Sequence, residues 1–188
     1  MDRIQKVSSY LLVIFNILLV ILPFSLFILW LFIDHNPIKE AIEHGVFFSA
    51  VQTPEGLVNL ATVNWTLFTK CVGFISSLVG LLPILLGLLI LKKIFRHYQK
   101  GQIFNKDNAQ RYKHLGYLFF LAGFLTQPLS AMLQTLAITL TYPPGHHWIQ
   151  IGFGTPTFES LFCGVLVLVI SWVMVEGYKL QEEQKLIV

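Results

Sequence analysis

Long runs without a charged side chain constrain this chain more than any other feature. Residues 10–33, 71–91 and 115–140 contain no Asp, Glu, Lys or Arg, and residues 156–175 contain only Glu159. A helix needs about 20 apolar residues to cross a hydrocarbon core about 30 Å thick. Because lipid offers the backbone no hydrogen bonds, each run must be helical. The sequence therefore predicts an all-α integral membrane protein with four transmembrane helices.

The composition excludes other classes of protein. Charged residues make up 12 % of the chain, about half the share found in soluble domains, which is about 25 %. Sixteen Phe, six Tyr and four Trp exclude a disordered chain. We interpret residues 1–188 as a single membrane domain with outer loops at 34–70 and 141–155, an inner loop at 92–114 and a tail at 176–188.

The Lys and Arg residues predict the direction of threading. Two precede the first run, seven lie in residues 92–114 and two follow residue 175, whereas residues 34–70 hold two and residues 141–155 hold none. Short loops rich in Lys and Arg stay on the cytoplasmic side. The first run is too long for a signal-peptide core, so we expect an uncleaved helix. The pattern predicts an antiparallel bundle with both termini in the cytoplasm.

Small residues recur every seven positions in the second, third and fourth runs. A seven-residue repeat stays on one face of helices that are wound left-handed around one another. Small residues mark the contact face in lipid, because they let two backbones approach closely. We predict a packing seam formed by Gly73, Gly80, Gly87, Gly116, Gly123, Ser130, Gly164 and Ser171.

Polar side chains lie on one face of the third run. Gln127, Ser130 and Gln134 are spaced i, i+3 and i+7, and Pro128 removes a backbone donor beside Gln127. One interpretation is an intramembrane ligand or water site. The favoured interpretation is interhelical hydrogen bonding together with repair of the proline break, at about 0.6 kcal/mol per bond. No ionisable residue lies near mid-membrane, which disfavours an ion-coupled carrier.

The outer segments contain signals for short local structure. Asn36 is expected to cap a short helix, with Pro37 in its first turn and Gly45 after its end. Residues 53–56 have a turn-like composition, and the alternation at 148–153 predicts a short extended segment. The helix carries an apolar stripe that we expect along the membrane surface, made of Ile38, Ala41 and Ile42. Three residues are expected as aromatic anchors at the outer interface, namely Trp30, Trp65 and Trp148.

Histidines and cysteines leave two alternatives open. Zinc binding by the four outer histidines is one interpretation, but they lack the spacing of a zinc site, and solvated loop histidines are preferred. Cys71 and Cys163 both belong to the outer half, where a disulfide is permitted, although two free buried thiols are the default. We expect no metal and no cofactor. The four histidines are His35, His44, His146 and His147.

The inner loop carries the most specific pattern. The second helix is expected to continue as a basic stalk to Lys100, and Gly101 is expected to end it in a left-handed turn. The apolar side chains of Ile103 and Phe104 are then expected to point back towards the helix bundle. Asn105 is expected to cap the next helix.

Two motifs carry a resemblance to a known family. The first comprises Phe95, Tyr98, Gly101, Ile103, Phe104, Asn108, Arg111 and Gly116, and the second comprises Glu176, Gly177, Leu180, Glu182, Glu183, Gln184, Leu186 and Val188. Together they resemble domain of unknown function family 2975. The resemblance implies a small four-span bacterial membrane protein, often found beside a helix-turn-helix regulator and without an established activity.

The inner face suggests an interaction role. We predict a non-enzymatic protein that presents the basic loop and the acidic tail to a cytoplasmic protein partner such as that regulator. The tail is hypothesised to dock across the loop, with Leu186 and Val188 meeting Ile103 and Phe104. The predicted interaction surface is Arg96, Tyr98, Gly101, Ile103, Phe104, Asn108, Arg111, Glu176, Glu182, Glu183, Leu186 and Val188.

Alternatives to this interaction role remain. The seven basic residues of the loop can simply enforce topology and contact anionic lipid. A second function is a subunit of an oligomeric transport or resistance system for export or immunity, which needs a wet path past Gln127 and Gln134. No catalytic constellation supports an enzyme. No soluble domain remains that would bind nucleic acid directly, and the oligomeric state is left open.

Overall fold

The computed structural model describes residues 3–46, 51–53, 56–142, 148–151 and 155–186. In chain order the elements are α1 (Arg3–Leu31), α2 (Asn36–Glu43), β1 (Val51–Thr53), β2 (Gly56–Val58), a 3-10 turn (Leu60–Thr62), α3 (Leu67–Gln99), α4 (Lys106–Leu121), a π-helical segment (Ala122–Thr126), α5 (Gln127–Thr139) and α6 (Thr155–Leu186). The π-helical segment joins α4 to α5 without a break.

Four helical stretches are long and apolar enough to cross a membrane, namely Arg3–Leu31, Leu67–Gln99, Lys106–Thr139 and Thr157–Gln184. Large apolar side chains on these helices are exposed. Examples are Phe24, Phe162 and Trp172, which are 62 %, 65 % and 67 % exposed. Continuous apolar surface of this kind requires lipid or another apolar partner. The prediction of four apolar helices in a multi-pass membrane protein is confirmed.

The chain groups into two compact units. Unit 1 comprises Met1–Ile21, Leu82–Leu125 and Gly154–Val188, and unit 2 comprises Leu22–Leu81 and Thr126–Phe153. Each boundary falls one or two residues before a proline, at Pro23, Pro83, Pro128 and Pro156. Pro23 and Pro83 lie inside α1 and α3, where each removes one backbone donor from the helix.

In unit 1 the backbones of α4 and α6 touch. A Cβ added at Gly116 would lie 3.2 Å from the Gly164 carbonyl oxygen, and a Cβ added at Gly164 would lie 3.2 Å from the Gly116 carbonyl oxygen. Further along, the Ser171 hydroxyl donates to the Ala109 carbonyl oxygen at 2.8 Å. Along this contact, residue numbers therefore increase on α4 in the direction in which they decrease on α6. Close approach through small residues is the packing that lipid favours.

Two further glycines of the predicted seam also lie at helix contacts in unit 1. A Cβ at Gly123 would meet the Thr157 carbonyl oxygen at 3.1 Å, whereas a Cβ at Gly87 would meet the Leu115 side chain at 3.5 Å. The second distance is ordinary packing. The space around Gly87 therefore tolerates a methyl group, and the space around Gly123 does not.

Unit 2 joins α3 to α5 through a reciprocal pair of serines. The Ser76 hydroxyl donates to the Ser130 carbonyl oxygen at 2.7 Å, and the Ser130 hydroxyl donates to the Ser76 carbonyl oxygen at 2.8 Å. A Cβ at Gly80 would lie 3.0 Å from the Ser130 hydroxyl oxygen. Each serine thus donates to the other helix, and Gly80 leaves room for the approach.

Gly73 departs from the predicted seam. A Cβ added at this position would overlap the Trp30 ring, which belongs to α1. The Trp30 indole N–H donates to the Ser77 hydroxyl at 3.0 Å. Gly73 therefore serves the contact of α3 with α1, because a large ring needs an open backbone on which to lie.

Unit 2 has a hydrophobic core built largely from the outer segments. Trp30, Leu60 and Trp65 are at most 9 % exposed, and the two indole rings meet edge to face with centroids 5.1 Å apart. The Trp65 indole N–H donates to the Leu60 carbonyl oxygen at 3.0 Å. Trp148 packs against the same core. Trp30 and Trp65 are therefore core residues and not aromatic anchors facing lipid headgroups, contrary to expectation.

The short helix α2 also faces this core. Ile42 is 1 % exposed, and α2 packs against the turn Leu60–Thr62. The apolar stripe therefore lies on the protein and not along the membrane, which corrects the prediction. His35 is the N-cap and makes no side-chain capping bond, so Asn36 is the first helical residue and not the cap. Gly45, with φ +73°, follows the helix end as predicted.

A short hairpin follows α2, although the sequence predicted only a turn there. Residues 51–53 and 56–58 pair as antiparallel strands, with Thr53 opposite Gly56. Pro54 and Glu55, in the middle of the predicted turn, lie outside the described residues.

The second outer segment shows no strand in its described residues 148–151. The remainder of the predicted extended segment, residues 152–153, lies outside the described part of the chain. The Trp148 backbone N–H donates to the Thr139 hydroxyl oxygen at 2.9 Å. The start of this segment is therefore held by a helix side chain and not by a sheet.

We expect Gly116→Ala to lower the melting temperature of the detergent-solubilised protein. A methyl group there meets the Leu168 side chain at 2.7 Å and the Gly164 carbonyl oxygen at 3.2 Å. Overpacking of this kind costs about 1–3 kcal/mol. The gain in helix propensity from Gly to Ala, about 1 kcal/mol, offsets only part of that cost.

Gly87→Ala is the matched control, because its nearest neighbouring atom lies 3.5 Å away. We expect this variant to melt at the wild-type temperature or above it. Tryptophan fluorescence during a thermal ramp measures both variants. Equal melting temperatures for the two would contradict the close approach at Gly116.

Candidate functional site

The α3–α4 loop begins with a defined helix ending. Gly101 has φ +76°, a conformation that glycine adopts without steric cost. Its N–H bonds the Tyr98 carbonyl oxygen at 2.9 Å, and the Gln102 N–H bonds the His97 carbonyl oxygen at 3.0 Å. This is a Schellman ending, which satisfies carbonyls that a helix end would leave unpaired. The predicted role of Gly101 is confirmed.

The loop ends in an equally defined helix start. Asn105 has extended backbone angles, and its side-chain oxygen accepts the Asp107 N–H at 2.9 Å. The Asp107 carboxylate lies in the first turn of α4, where the helix dipole favours negative charge. Asn105 therefore caps α4 as predicted.

Asn108 closes the loop between these two ends. Its amide nitrogen donates to the Gln102 and Ile103 carbonyl oxygens at 2.9 and 3.0 Å, and its oxygen accepts from His97 Nδ1 at 2.7 Å. The side chain is 0 % exposed. Asn108 therefore lies inside the unit and holds the loop, so it does not offer a contact surface itself.

Phe104 lies on the backbone of α6. A Cβ added at Gly177 would overlap the Phe104 ring, so only glycine leaves room for it. The ring is nevertheless 44 % exposed, whereas Ile103 is half-buried. The loop thus presents one face of an aromatic ring while its other face rests on α6.

The predicted tail is a continuation of α6, which runs to Leu186. The side chains of Glu182 and Glu183 are exposed. Docking through Leu186 and Val188 is not decided, because the Leu186 side chain and all of Val188 lie outside the described part. The α6 contact that Phe104 does make is at Gly177.

Aromatic and polar contacts connect the end of α3 to its neighbours. The Tyr98 and Tyr112 hydroxyls share a hydrogen bond of 3.1 Å. The Phe15 and Phe95 rings meet edge to face at 5.5 Å, which joins α1 to α3. The Gln99 amide donates to the Ser9 hydroxyl. No sequence pattern distinguished His97, Tyr112 or Ser9, because their partners are distant in the chain.

The other predicted surface residues divide between exposed and enclosed. Arg96 and Glu176 are exposed, and Glu176 pairs with Lys179 at 2.7 Å. Arg111 is half-buried, and its Nε is enclosed without a hydrogen-bond partner in the described residues. The exposed part of the predicted surface, within the described residues, is therefore Arg96, Gly101, Phe104, Glu176, Glu182 and Glu183.

Gln127 and Gln134 are half-buried on α5. Neither amide forms a side-chain hydrogen bond with a residue in the described ranges. The π-helical segment Ala122–Thr126 ends immediately before Gln127, two residues ahead of Pro128. Because π-helical turns absorb a change in the backbone ladder, this segment fits the expected repair of the proline break.

The structure gives no group of three or more His, Cys, Asp or Glu that would hold a metal ion within its described residues. His35 and His44 are exposed, and His146 and His147 lie outside those residues. Cys71 and Cys163 are free, and both are exposed and not buried. The expectation of buried thiols is therefore wrong.

We expect Asn108→Ala to speed tryptic cleavage at Lys100 and Lys106, which flank the loop. Losing the amide leaves the Gln102 and Ile103 carbonyls without their side-chain donor. An unpaired buried polar group costs about 1–3 kcal/mol, so opening and cleavage should rise about fivefold or more. Limited proteolysis of the reconstituted protein, read by mass spectrometry, measures the rate.

Gln110→Ala serves as the control, because its side chain is exposed two residues further along the same helix. Its cleavage rate should equal that of the wild type. Cleavage of Asn108→Ala at the wild-type rate would show that the amide does not hold the loop closed.

Comparison with known proteins places the chain in a family. Neither the curated proteins nor the solved structures gave a match. One family model, described as protein of unknown function (DUF2975), matches residues 48–188. This range covers well over half of the chain and contains both motifs on which the resemblance rested. The chain therefore belongs to the DUF2975 family of proteins of unknown function.

Proposed function

We propose that this chain is a non-enzymatic protein of the bacterial inner membrane, with an antiparallel bundle and both termini in the cytoplasm. The Lys and Arg distribution supports this orientation, because seven of these residues lie between residues 92 and 114. The chemistry of the loop supports an interaction role and not an enzymatic one. The Asn108 amide and the Gly101 N–H are hydrogen-bonded to loop and helix carbonyls, so they are not available to react with a substrate.

The proposed role is a cytoplasmic platform for a protein partner. The observation that carries it is the ring of Phe104, which rests on Gly177 and is still 44 % exposed. A half-exposed aromatic side chain on a fixed backbone loses little conformational entropy on binding, and such residues anchor many interfaces. The exposed charges of Arg96, Glu182 and Glu183 supply a polar rim. The family resemblance suggests a small helix-turn-helix regulator as the partner.

The alternative is a subunit of an oligomeric transport or resistance system. Its specific support is the half-buried pair Gln127 and Gln134, whose amides make no side-chain hydrogen bond in the described residues. Amides without a side-chain partner in the described residues are groups that a polar solute would use. We rank this second, because the charge-free run 115–140 offers no ionisable group to move a proton or an ion.

The proposed orientation predicts opposite labelling of two introduced cysteines. In a Cys71→Ser, Cys163→Ser background, Glu43→Cys should react with a membrane-impermeant maleimide in spheroplasts, and Glu183→Cys should not. The reason is that Lys and Arg side chains resist transfer across the membrane. The basic residues of the α3–α4 loop therefore keep the C-terminal end of α6 on the cytoplasmic side. Both cysteines should react after permeabilisation. Labelling of Glu183→Cys in intact spheroplasts would reverse the orientation and remove the platform.

The platform predicts a crosslink that depends on Phe104. A photo-crosslinking residue at Glu183 lies six residues past Gly177, about 9 Å along the helix. We expect it to capture a soluble cytoplasmic protein in cells, and we expect Phe104→Ala to reduce that adduct about tenfold, as for the loss of an aromatic anchor. Mass spectrometry of the adduct identifies the partner.

A crosslinker at Phe68 is the control, because this side chain is 66 % exposed and lies at the end of α3 that is far from the α3–α4 loop. It should not capture the same protein. Adducts at Glu183 that contain only lipid or insertion machinery, or that are unchanged in Phe104→Ala, would contradict the platform.

A further inference from the structure

A groove of about 400 Å³ opens between α4 and α6 in unit 1. Its walls follow the helical repeat, because residues at i, i+4 and i+7 of α4 share one face. None of its lining residues in the described chain is a carboxylate. The polar and apolar side chains that line the groove include Lys106, Gln110, Lys113, Val175, Tyr178 and Lys179.

The cations of the groove are only partly neutralised. Lys106 and Lys113 form no ion pair within the described ranges, although Lys113 Nζ lies 5.8 Å from the Tyr117 ring centroid. Lys179 pairs with Glu176 at 2.7 Å, and both side chains are more than half exposed. Exposed pairs of this kind are weak. Three lysines therefore line one groove. Two have no ion-pair partner in the described residues, and the third has a weak partner in Glu176.

The neutral lining complements an anion. The Gln110 amide and the Tyr178 hydroxyl add donors to the three ammonium groups. A phosphate group, with several acceptor oxygens, fits such a set of donors.

The groove lies where each helix enters its long apolar run. Lys113 precedes the run 115–140 by two residues, and Val175 is the last residue of the run 156–175. This is the level of the lipid headgroups, where the phosphates of phospholipids lie. Ala109 and Val175 give the groove apolar surface as well, against which the first carbons of a lipid can pack.

We propose that this groove binds the phosphate of an anionic phospholipid. Basic pockets between membrane helices bind phospholipid headgroups by this chemistry. Free phosphate shares the headgroup's charge but makes no use of the apolar lining, which favours lipid as the source. The proposal is separate from the protein-partner platform, because lipid retention is measured without any partner.

Native mass spectrometry of the detergent-solubilised full chain tests the groove. Phosphatidylglycerol should be retained in preference to phosphatidylcholine with the same acyl chains. The triple variant Lys106→Gln, Lys113→Gln, Lys179→Gln should retain phosphatidylglycerol at least about tenfold less well, since each Lys near an anionic surface contributes severalfold.

The matched control removes the same charge from the same basic region outside the groove, as Lys92→Gln, Lys93→Gln, Lys100→Gln. It should retain phosphatidylglycerol like the wild type. Equal losses in the two triple variants would indicate diffuse surface charge and overturn the site. Wild-type retention in the groove variant would overturn it as well.

A second pair of variants blocks the groove without changing its charge. Val175→Trp fills the lining and should reduce phosphatidylglycerol retention at least about fivefold through loss of space for the ligand. Val173→Trp is its control, because Val173 is 61 % exposed on the same helix outside the groove. Equal retention by these two variants would contradict binding in the groove. Gel filtration and melting temperature confirm that each variant is folded.

Inorganic phosphate in molar excess over lipid distinguishes the two sources of the anion. We expect it to leave phosphatidylglycerol bound, because the lipid also uses the apolar lining. Displacement of the lipid by inorganic phosphate, with a rise in melting temperature equal to the rise that phosphatidylglycerol causes, would overturn the lipid assignment. It would leave a site for free phosphate.

Discussion

Backbone hydrogen bonding inside lipid is the constraint on which the rest of this structure depends. Hydrocarbon supplies no donors or acceptors, so every interruption of a helix must be satisfied by the protein. The π-helical segment Ala122–Thr126 lies next to Pro128, where one donor is missing. At the α3–α4 loop, the Gly101 N–H bonds the Tyr98 carbonyl, and the Asn108 amide bonds the Gln102 and Ile103 carbonyls. The requirement there comes from burial in the protein, because the Asn108 side chain is 0 % exposed.

The same solvent changes what holds the helices together. Apolar side chains gain little by leaving lipid for protein, so contact depends on close packing and a few hydrogen bonds. Gly116 and Gly164 bring two backbones together, and Ser76 and Ser130 exchange hydroxyl–carbonyl bonds of about 0.6 kcal/mol each. The core around Trp30 and Trp65 has another basis, since it is built largely from residues 34–70, which lie between the apolar helices α1 and α3.

Features fixed by neighbouring residues were predictable from the sequence, and features fixed by distant partners were not. The four apolar helices, the Gly101 ending and the Asn105 cap depend on residues within a few positions of each other. The contact of Gly73 with Trp30 and the bond of Asn108 to His97 join separate helices. The stripe on α2 was misassigned because an amphipathic pattern gives the apolar face of a helix but not the apolar surface it meets.

The residues that carry the family resemblance clarify what the loop can offer. Gly101, Asn108, Gly116 and Gly177 are each accounted for by a turn, a buried bond or a close approach. Such residues maintain a backbone shape and provide no reactive group. Phe104 differs, because its position is set by Gly177 while its ring stays 44 % exposed. These four residues therefore give a fixed backbone against which the exposed Phe104 ring is held, and this supports the proposed platform. The lysines of the α4–α6 groove, by contrast, lie outside both motifs, so the proposed lipid site does not depend on the residues that carry the resemblance.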